Sequence, residues 1–252
     1  MNLLPVTQSF RLDGRGALVT GAGGGIGLAA AAALATAGAA VTLVARSSVE
    51  IEAAAITLGA DNKSEVLDVT DLPAVAAFFN EQPAFDILVN NAGINRPKLM
   101  TDVSEDDYDA VLGLNLKAAF FVAQAAVRQM IAQGTRGSVI HMSSQMGHVG
   151  GARRTLYCAS KWGLEGLSKA MALDLATHGI RSNTIAPTFT DTPMVRPFLD
   201  DPAFRDDVIA RIKLGRLGRV EDLMGAIVFL ASDASALMTG TSMIVDGGWT
   251  AD

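Results

Sequence analysis

Thr20-Gly21-Ala22-Gly23-Gly24-Gly25-Ile26-Gly27 is the stretch on which the reading of the fold turns. It follows a short strand-like run at 17–20 and leads straight into an Ala- and Leu-rich segment at 25–37, so it marks the turn from a first strand into a first helix. Glycines there let backbone amides and the helix N-terminus come close to a pyrophosphate. The common G-x-G-x-x-G spacing fails, because Ile26 falls in its third glycine slot; G-x-x-x-G-x-G through Gly21, Gly25 and Gly27 fits. A tight turn without a ligand is the plain alternative, and the position directly after the first strand favours a dinucleotide.

Outward from this turn the pattern repeats. Strand-like runs at 17–20, 40–45, 64–67, 85–90, 138–142, 181–186 and 242–245 alternate with helical segments near 25–37, 48–58, 72–81, 104–132, 155–178, 202–210 and 220–232. Alternation of this kind predicts an α/β chain: a seven-stranded, doubly wound parallel sheet with helices on both faces. No linker, repeat or low-complexity segment divides it, so residues 1–252 read as one domain. The long excursion at 187–218 carries four prolines and leaves the carboxyl end of the sixth strand, where open α/β sheets place ligands, which makes it the candidate substrate loop.

Composition narrows the function. A net charge of −6 argues against a nucleic-acid surface, which needs clustered Lys and Arg. Half the residues are hydrophobic, yet no uninterrupted apolar run has the length of a membrane span, and Met1 to Arg15 lacks the pattern of a secretory signal. A cytoplasmic location away from membranes is expected. One cysteine, Cys158, excludes an internal disulfide, and His141, His148 and His178 lack metal-ligand spacing, so no metal is expected.

Chemistry enters with Tyr157-Cys158-Ala159-Ser160-Lys161. Residues four apart share a helix face, so the Lys161 ammonium can lie near the Tyr157 phenol and lower its pKa. Alone the pair is an ordinary helical spacing. At the end of the second strand, where an NAD enzyme offers a carboxylate to the ribose, this chain has Arg46, which can pair with a 2′-phosphate; NADP is therefore favoured over NAD.

Taken in order, the 20–27 turn, Asn90-Asn91-Ala92-Gly93, Asn115, Ser144, Tyr157, Lys161 and a closing Asp246-Gly247-Gly248 resemble the short-chain dehydrogenase/reductase family along nearly the whole chain. The resemblance implies a Rossmann domain, a nicotinamide cofactor and a homotetramer. It also implies that Tyr157 is the general acid/base, Lys161 its tuning cation and ribose contact, Ser144 the partner of the substrate oxygen, and Asn115 a helix interruption serving a proton relay. Cofactor contacts would come from Gly21, Gly25, Ile26, Gly27, Arg46, Asp68, Val69, Asn91, Ala92, Gly93, Tyr157, Lys161, Thr190 and Thr192. Where the family often has Pro-Gly after the sixth strand, this chain has Pro187-Thr188.

The reaction implied is interconversion of a secondary alcohol and a ketone. Ser144, Gln145, His148 and Tyr157 are the candidate substrate contacts, with Asn95 and Arg96 nearby. Such a polar pocket suits a sugar, polyol or sugar acid, and the sequence looks similar to members acting on those. A 3-oxoacyl-thioester reductase is the alternative enzyme, and a non-catalytic dinucleotide sensor the alternative class.

Overall fold

A computed structural model describes residue 4 and residues 6–251. Seven strands form its centre: β1 (Gly16–Thr20), β2 (Ala40–Ala45), β3 (Lys63–Val66), β4 (Ile87–Asn90), β5 (Ser138–Met142), β6 (Arg181–Pro187) and β7 (Ser242–Val245). All pairings are parallel, in the order β3-β2-β1-β4-β5-β6-β7. The order reverses between β1 and β4, and the crevice beyond the carboxyl ends of those two strands is where a doubly wound sheet binds its ligand.

The nine α-helices among the described residues are α1 (Gly25–Ala37), α2 (Ser48–Leu58), α3 (Leu72–Glu81), α4 (Glu105–Leu112), α5 (Ala119–Gln133), α6 (Thr155–Leu175), α7 (Arg196–Leu199), α8 (Pro202–Arg211) and α9 (Glu221–Ala231). Both faces of the sheet are covered. On one, Leu34 of α1 and Ile227 and Leu230 of α9 pack against Val19, Leu43 and Ile140. On the other, Phe79 of α3 and Val122 and Met130 of α5 pack against Leu88 and Val139. Burial on two faces explains why β4 opens on the continuous apolar run Ile87-Leu88-Val89 and why every residue of β5 is buried.

Several element ends shift by one to three residues, and three departures from expectation have local reasons. Strand β4 begins at Ile87 rather than 85, because Asp86 spends its backbone N–H on the Gly16 carbonyl and its carboxylate accepts from the Gly16 N–H at 2.8 Å. The helix expected over 104–132 starts in a capping box, with the Ser104 hydroxyl accepting from the Asp107 N–H and the Asp107 carboxylate accepting from the Ser104 N–H, and is then broken by a π-helical turn at Gly113–Ala118. In the 187–218 excursion the short helix α7 joins the expected α8.

The combined stretch Glu105–Gln133 is long and apolar enough to span a bilayer, with a mean hydropathy of 1.6 over its best window. In this fold it covers the sheet, and Val122, Ala126 and Met130 lie in the core.

Candidate active site

The glycine turn lies against the chain that leaves β4. A Cβ on Gly27 would sit 2.2 Å from the Gly21 carbonyl oxygen, so only glycine fits there. Gly21 has a φ of 65° and its missing Cβ would meet the Ala92 Cα at 3.0 Å. Thr20 and Asn91 lock this crossing. The Thr20 hydroxyl accepts from the backbone N–H of Asn91 and Ala92 at 2.9 and 3.1 Å, and the Asn91 amide donates to the Thr20 and Gly21 carbonyls.

A cleft of about 710 Å3 opens over the turn, and every cofactor candidate named from the sequence borders it, from Gly21 and Arg46 at one end to Tyr157, Lys161 and Thr192 at the other. Two buried hydroxyls in its wall, Ser143 Oγ and Thr188 Oγ1, have no hydrogen-bond partner. Buried polar groups are normally paired, so these two suit an elongated ligand rich in acceptors. Together with the glycine cradle they fit a dinucleotide. The Asp68 carboxylate is lowered in pKa by the Thr70 N–H and hydroxyl that it accepts from, and more weakly by Arg46. The helix cap of α3 is Asp71, which leaves Asp68 free of that task. One carboxylate escaped the sequence reading: Glu50, from the first turn of α2, borders the cleft with Oε2 2.8 Å from where a Gly23 Cβ would stand. It lies next to the strand end in space although four residues beyond Arg46 in sequence.

The four catalytic candidates converge from separate elements: Tyr157 and Lys161 from α6, Ser144 from the end of β5, and Asn115 from the π-helical turn. Lys161 is buried, and its Nζ donates to the Met142 carbonyl at 2.8 Å while standing 5.5 Å from the centre of the Tyr157 ring. Burial lowers its pKa to about 8, against a smaller opposing pull from Glu165.

The expected tuning of Tyr157 by Lys161 is not what governs the phenol here. Burial raises it above its ordinary value, and the main opposing influence is the hydrogen bond with Ser144, followed at a distance by Arg154. The lysine points its donor at Met142 instead.

Asn115 is almost wholly buried. Its Oδ1 accepts from the Ile94 N–H at 2.8 Å, and its Nδ2 donates to the Ile94 carbonyl at 2.9 Å and to Ser160 Oγ at 3.1 Å. It thereby ties the chain leaving Gly93 to α6, one residue before Lys161. A Cβ on Gly93 would lie 3.2 Å from Asn115 Oδ1 and 3.7 Å from Lys161 Nζ, which places both groups around the same glycine.

Comparison with known proteins agrees with this geometry. The family model described as "Enoyl-(Acyl carrier protein) reductase" matches residues 21–250. The chain belongs to the short-chain dehydrogenase/reductase family. This dehydrogenase/reductase is an oxidoreductase. It is 39% identical to D-threitol dehydrogenase of Mycolicibacterium smegmatis, over 98% of this chain and 97% of that one. It is 38% identical to a 3-oxoacyl-(acyl-carrier-protein) reductase of Escherichia coli, covering 95% and 98% respectively. Among solved structures, a gluconate 5-dehydrogenase from Burkholderia cenocepacia in complex with NADP and tartrate superposes with a TM-score of 0.93, at 40% identity over 96% of this chain and 98% of that one. Identity is nearly level between polyol and acyl-thioester relatives, so the site must choose the substrate.

Not every substrate candidate of this short-chain dehydrogenase/reductase faces the cleft. Gln145 is buried and accepts from the Ser144 hydroxyl at 2.7 Å, and neither it nor His148 borders the cleft. His148 Nε2 lies 2.8 Å from Ser242 Oγ and 3.3 Å from Glu165 Oε1. Both therefore serve as supports in this arrangement. Arg96 is paired with Asp107, and so is Lys98. Two groups near the site were given no role there by the sequence. Glu165 also accepts from Thr184 Oγ1 at 2.9 Å, and its spacing four after Lys161 was the available clue. His141 is fully buried in β5, its pKa lowered to about 4 by burial and by Lys161. No spacing rule points to it. Among the described residues no group of three or more His, Cys, Asp or Glu side chains could hold a metal.

Proposed function

We propose that this chain is an NADP(H)-dependent dehydrogenase/reductase that interconverts a secondary alcohol and a ketone on a sugar, polyol or sugar acid. The observation that carries this reading is the Tyr157 phenol: together with Ser144 and Lys161 it borders the same continuous cleft as the glycine turn and Arg46. Arg46 is exposed at the strand end and among the described residues forms no ion pair, which suits a 2′-phosphate. The gluconate 5-dehydrogenase relative carries NADP and the hydroxy diacid tartrate, in line with both halves of the proposal.

When bound, the nicotinamide supplies or takes up the hydride. In the reductive direction the Tyr157 phenol gives its proton to the substrate oxygen, and in the oxidative direction the phenolate recovers it. The Ser144 hydroxyl, which donates to Gln145 Oε1 in this structure, would turn its proton to that oxygen as negative charge builds on it. Lys161, anchored on Met142, holds a positive charge beside the phenol, and Asn115 fixes the chain after Gly93 that shapes this end of the cleft. The 187–218 segment would close over the substrate. We place the enzyme in the cytoplasm as a homotetramer; exposed apolar side chains such as Trp162 and Leu173 on α6 support burial against another copy.

A panel of sugars, sugar acids, polyols and 3-oxoacyl thioesters, assayed with NADPH and NADH or their oxidised forms, tests the proposal. Turnover of polyhydroxylated substrates with the phosphorylated cofactor is expected, and Tyr157→Phe should lower kcat by more than roughly 10²-fold while NADPH fluorescence titration still shows binding. Turnover confined to acyl thioesters, or an unaffected Tyr157→Phe rate, would overturn it. Sedimentation equilibrium reports the assembly.

A further inference from the structure

Charged groups around the reacting end of the cleft are almost all paired. Arg96 and Lys98 share the Asp107 carboxylate, and Lys161 donates to Met142. Arg154 differs. It is only 6% exposed, yet among the described residues no carboxylate pairs with it, and its buried Nε has no hydrogen-bond partner. The one hydrogen bond of its side chain among the described residues is a long 3.4 Å contact from Nη1 to the carbonyl of Arg153. A guanidinium offers five donors, and a buried cation left without an anion is costly.

The backbone holds this side chain in place. Arg153 takes a φ of 59°, the only non-glycine residue with positive φ among the described residues, and Arg154 follows it as the residue capping α6. Arg154 is thereby set one helical turn before Tyr157, close enough for each charge to influence the other's protonation. Its guanidinium carbon lies 5.4 Å from the ring centre of Phe198 on α7 and 6.0 Å from that of Phe204 on α8. Both rings belong to the 187–218 segment. The cation thus sits at the junction of the proton-transferring tyrosine and the segment that would cover the substrate, walled by aromatic faces that shield it from water.

We infer that Arg154 is the specificity-determining residue that receives the carboxylate of a sugar-acid substrate, with Phe198 and Phe204 closing over the ion pair. This rests on the polyhydroxylated-substrate reading above and narrows it to acids. The planar guanidinium matches a carboxylate with two parallel hydrogen bonds, and a carboxylate supplies the anion that the buried charge lacks. A neutral polyol would leave that charge unpaired, so discrimination comes from the protein side of the contact.

The test is a matched pair, D-gluconate and neutral D-glucitol, assayed with NADP on wild type, Arg154→Met and Arg154→Lys, with tartrate as a competitive inhibitor. Wild type is expected to favour the acid by roughly 10²-fold in kcat/KM, a preference on the scale of one paired buried charge. Arg154→Met should erase it mainly through the KM for gluconate and weaken tartrate inhibition in parallel; Arg154→Lys should recover part of both. NADPH titration checks that each variant is folded. Equal loss on both substrates would assign Arg154 to holding the loop and overturn the inference, as would an unchanged ratio in Arg154→Met, or wild-type turnover of glucitol with no preference for the acid. Turnover of neither, with turnover of 3-oxoacyl thioesters, would instead overturn the polyhydroxylated-substrate reading itself.

Discussion

Replacing Asn115 with alanine removes three hydrogen bonds at once, from Ile94 N–H, to Ile94 C=O and to Ser160 Oγ, all at 2.8–3.1 Å. Both backbone groups of Ile94 lose their partner in a partly buried setting, and each such loss costs on the order of 1–3 kcal/mol. Taking the lower end, because water can reach part of Ile94, gives roughly 3 kcal/mol for the three bonds. Unfolding entropy of about 2.1 cal/mol/K per residue makes that a fall in Tm of about 6 °C for a chain of 252 residues. Scanning calorimetry at matched protein concentration reads it, since assembly makes Tm concentration-dependent. Asn115→Asp should fall at least as far, because a carboxylate can accept from the Ile94 N–H but cannot donate to its carbonyl. A Tm within about 1 °C of wild type for Asn115→Ala would refute the reasoning, showing that the π-helical turn is held by α4 and α5 and not by this amide.

Three further outcomes are expected. Gly27→Ala drives a Cβ to 2.2 Å from the Gly21 carbonyl and should cost about 1–3 kcal/mol in stability along with most NADPH binding; Gly24→Ala, with nothing within 4 Å and an extended backbone, should leave the unfolding midpoint unchanged, and equal midpoints for the two variants would count against the cradle. Ser144→Ala removes the hydrogen bond that opposes the burial of Tyr157, so the phenol rises further and the limb of the alcohol-oxidation pH profile that reports phenolate moves to higher pH; a limb that stays in place or moves down sinks the assignment. His141 resists protonation in the fold, at about 4, so between its ordinary 6.5 and that value the unfolded chain takes up a proton that the folded chain refuses. The associated stability, roughly 3 kcal/mol, is present above pH 6.5 and lost as pH falls toward 4; His141→Gln should flatten that part of the Tm-against-pH curve, and parallel curves would contradict it.

How far the site was legible from the sequence differs from residue to residue. Gly21, Gly25 and Gly27 were readable because backbone crowding at a strand-to-helix turn leaves only glycine possible, a constraint written directly in residue identity. Tyr157 and Lys161 were readable as neighbours because helical spacing fixes which side chains share a face. What they do to one another was not: the Lys161 donor could turn to the phenol or to the Met142 carbonyl, and only packing chose Met142. Glu50 was invisible as a site residue, since it reaches the glycine turn through space; Arg154 was readable only as a charge preceding Tyr157, and its burial by Phe198 and Phe204 of a distant segment was not. His148 shows the reverse. It is four residues after Ser144, yet its imidazole is drawn to Ser242 and Glu165.

The sequence by itself determined the alternation of strands and helices, the parallel sheet that follows from it, and the order of the motifs along the chain, because propensity, period and glycine sterics act over a few residues. Only the tertiary structure decided which cations keep a partner, which hydroxyls are left unpaired in the cleft, and how far burial shifts Tyr157, Lys161 and His141. Those are properties of a shared low-dielectric interior, built from residues far apart in sequence, where the strength of a charge depends on everything packed around it.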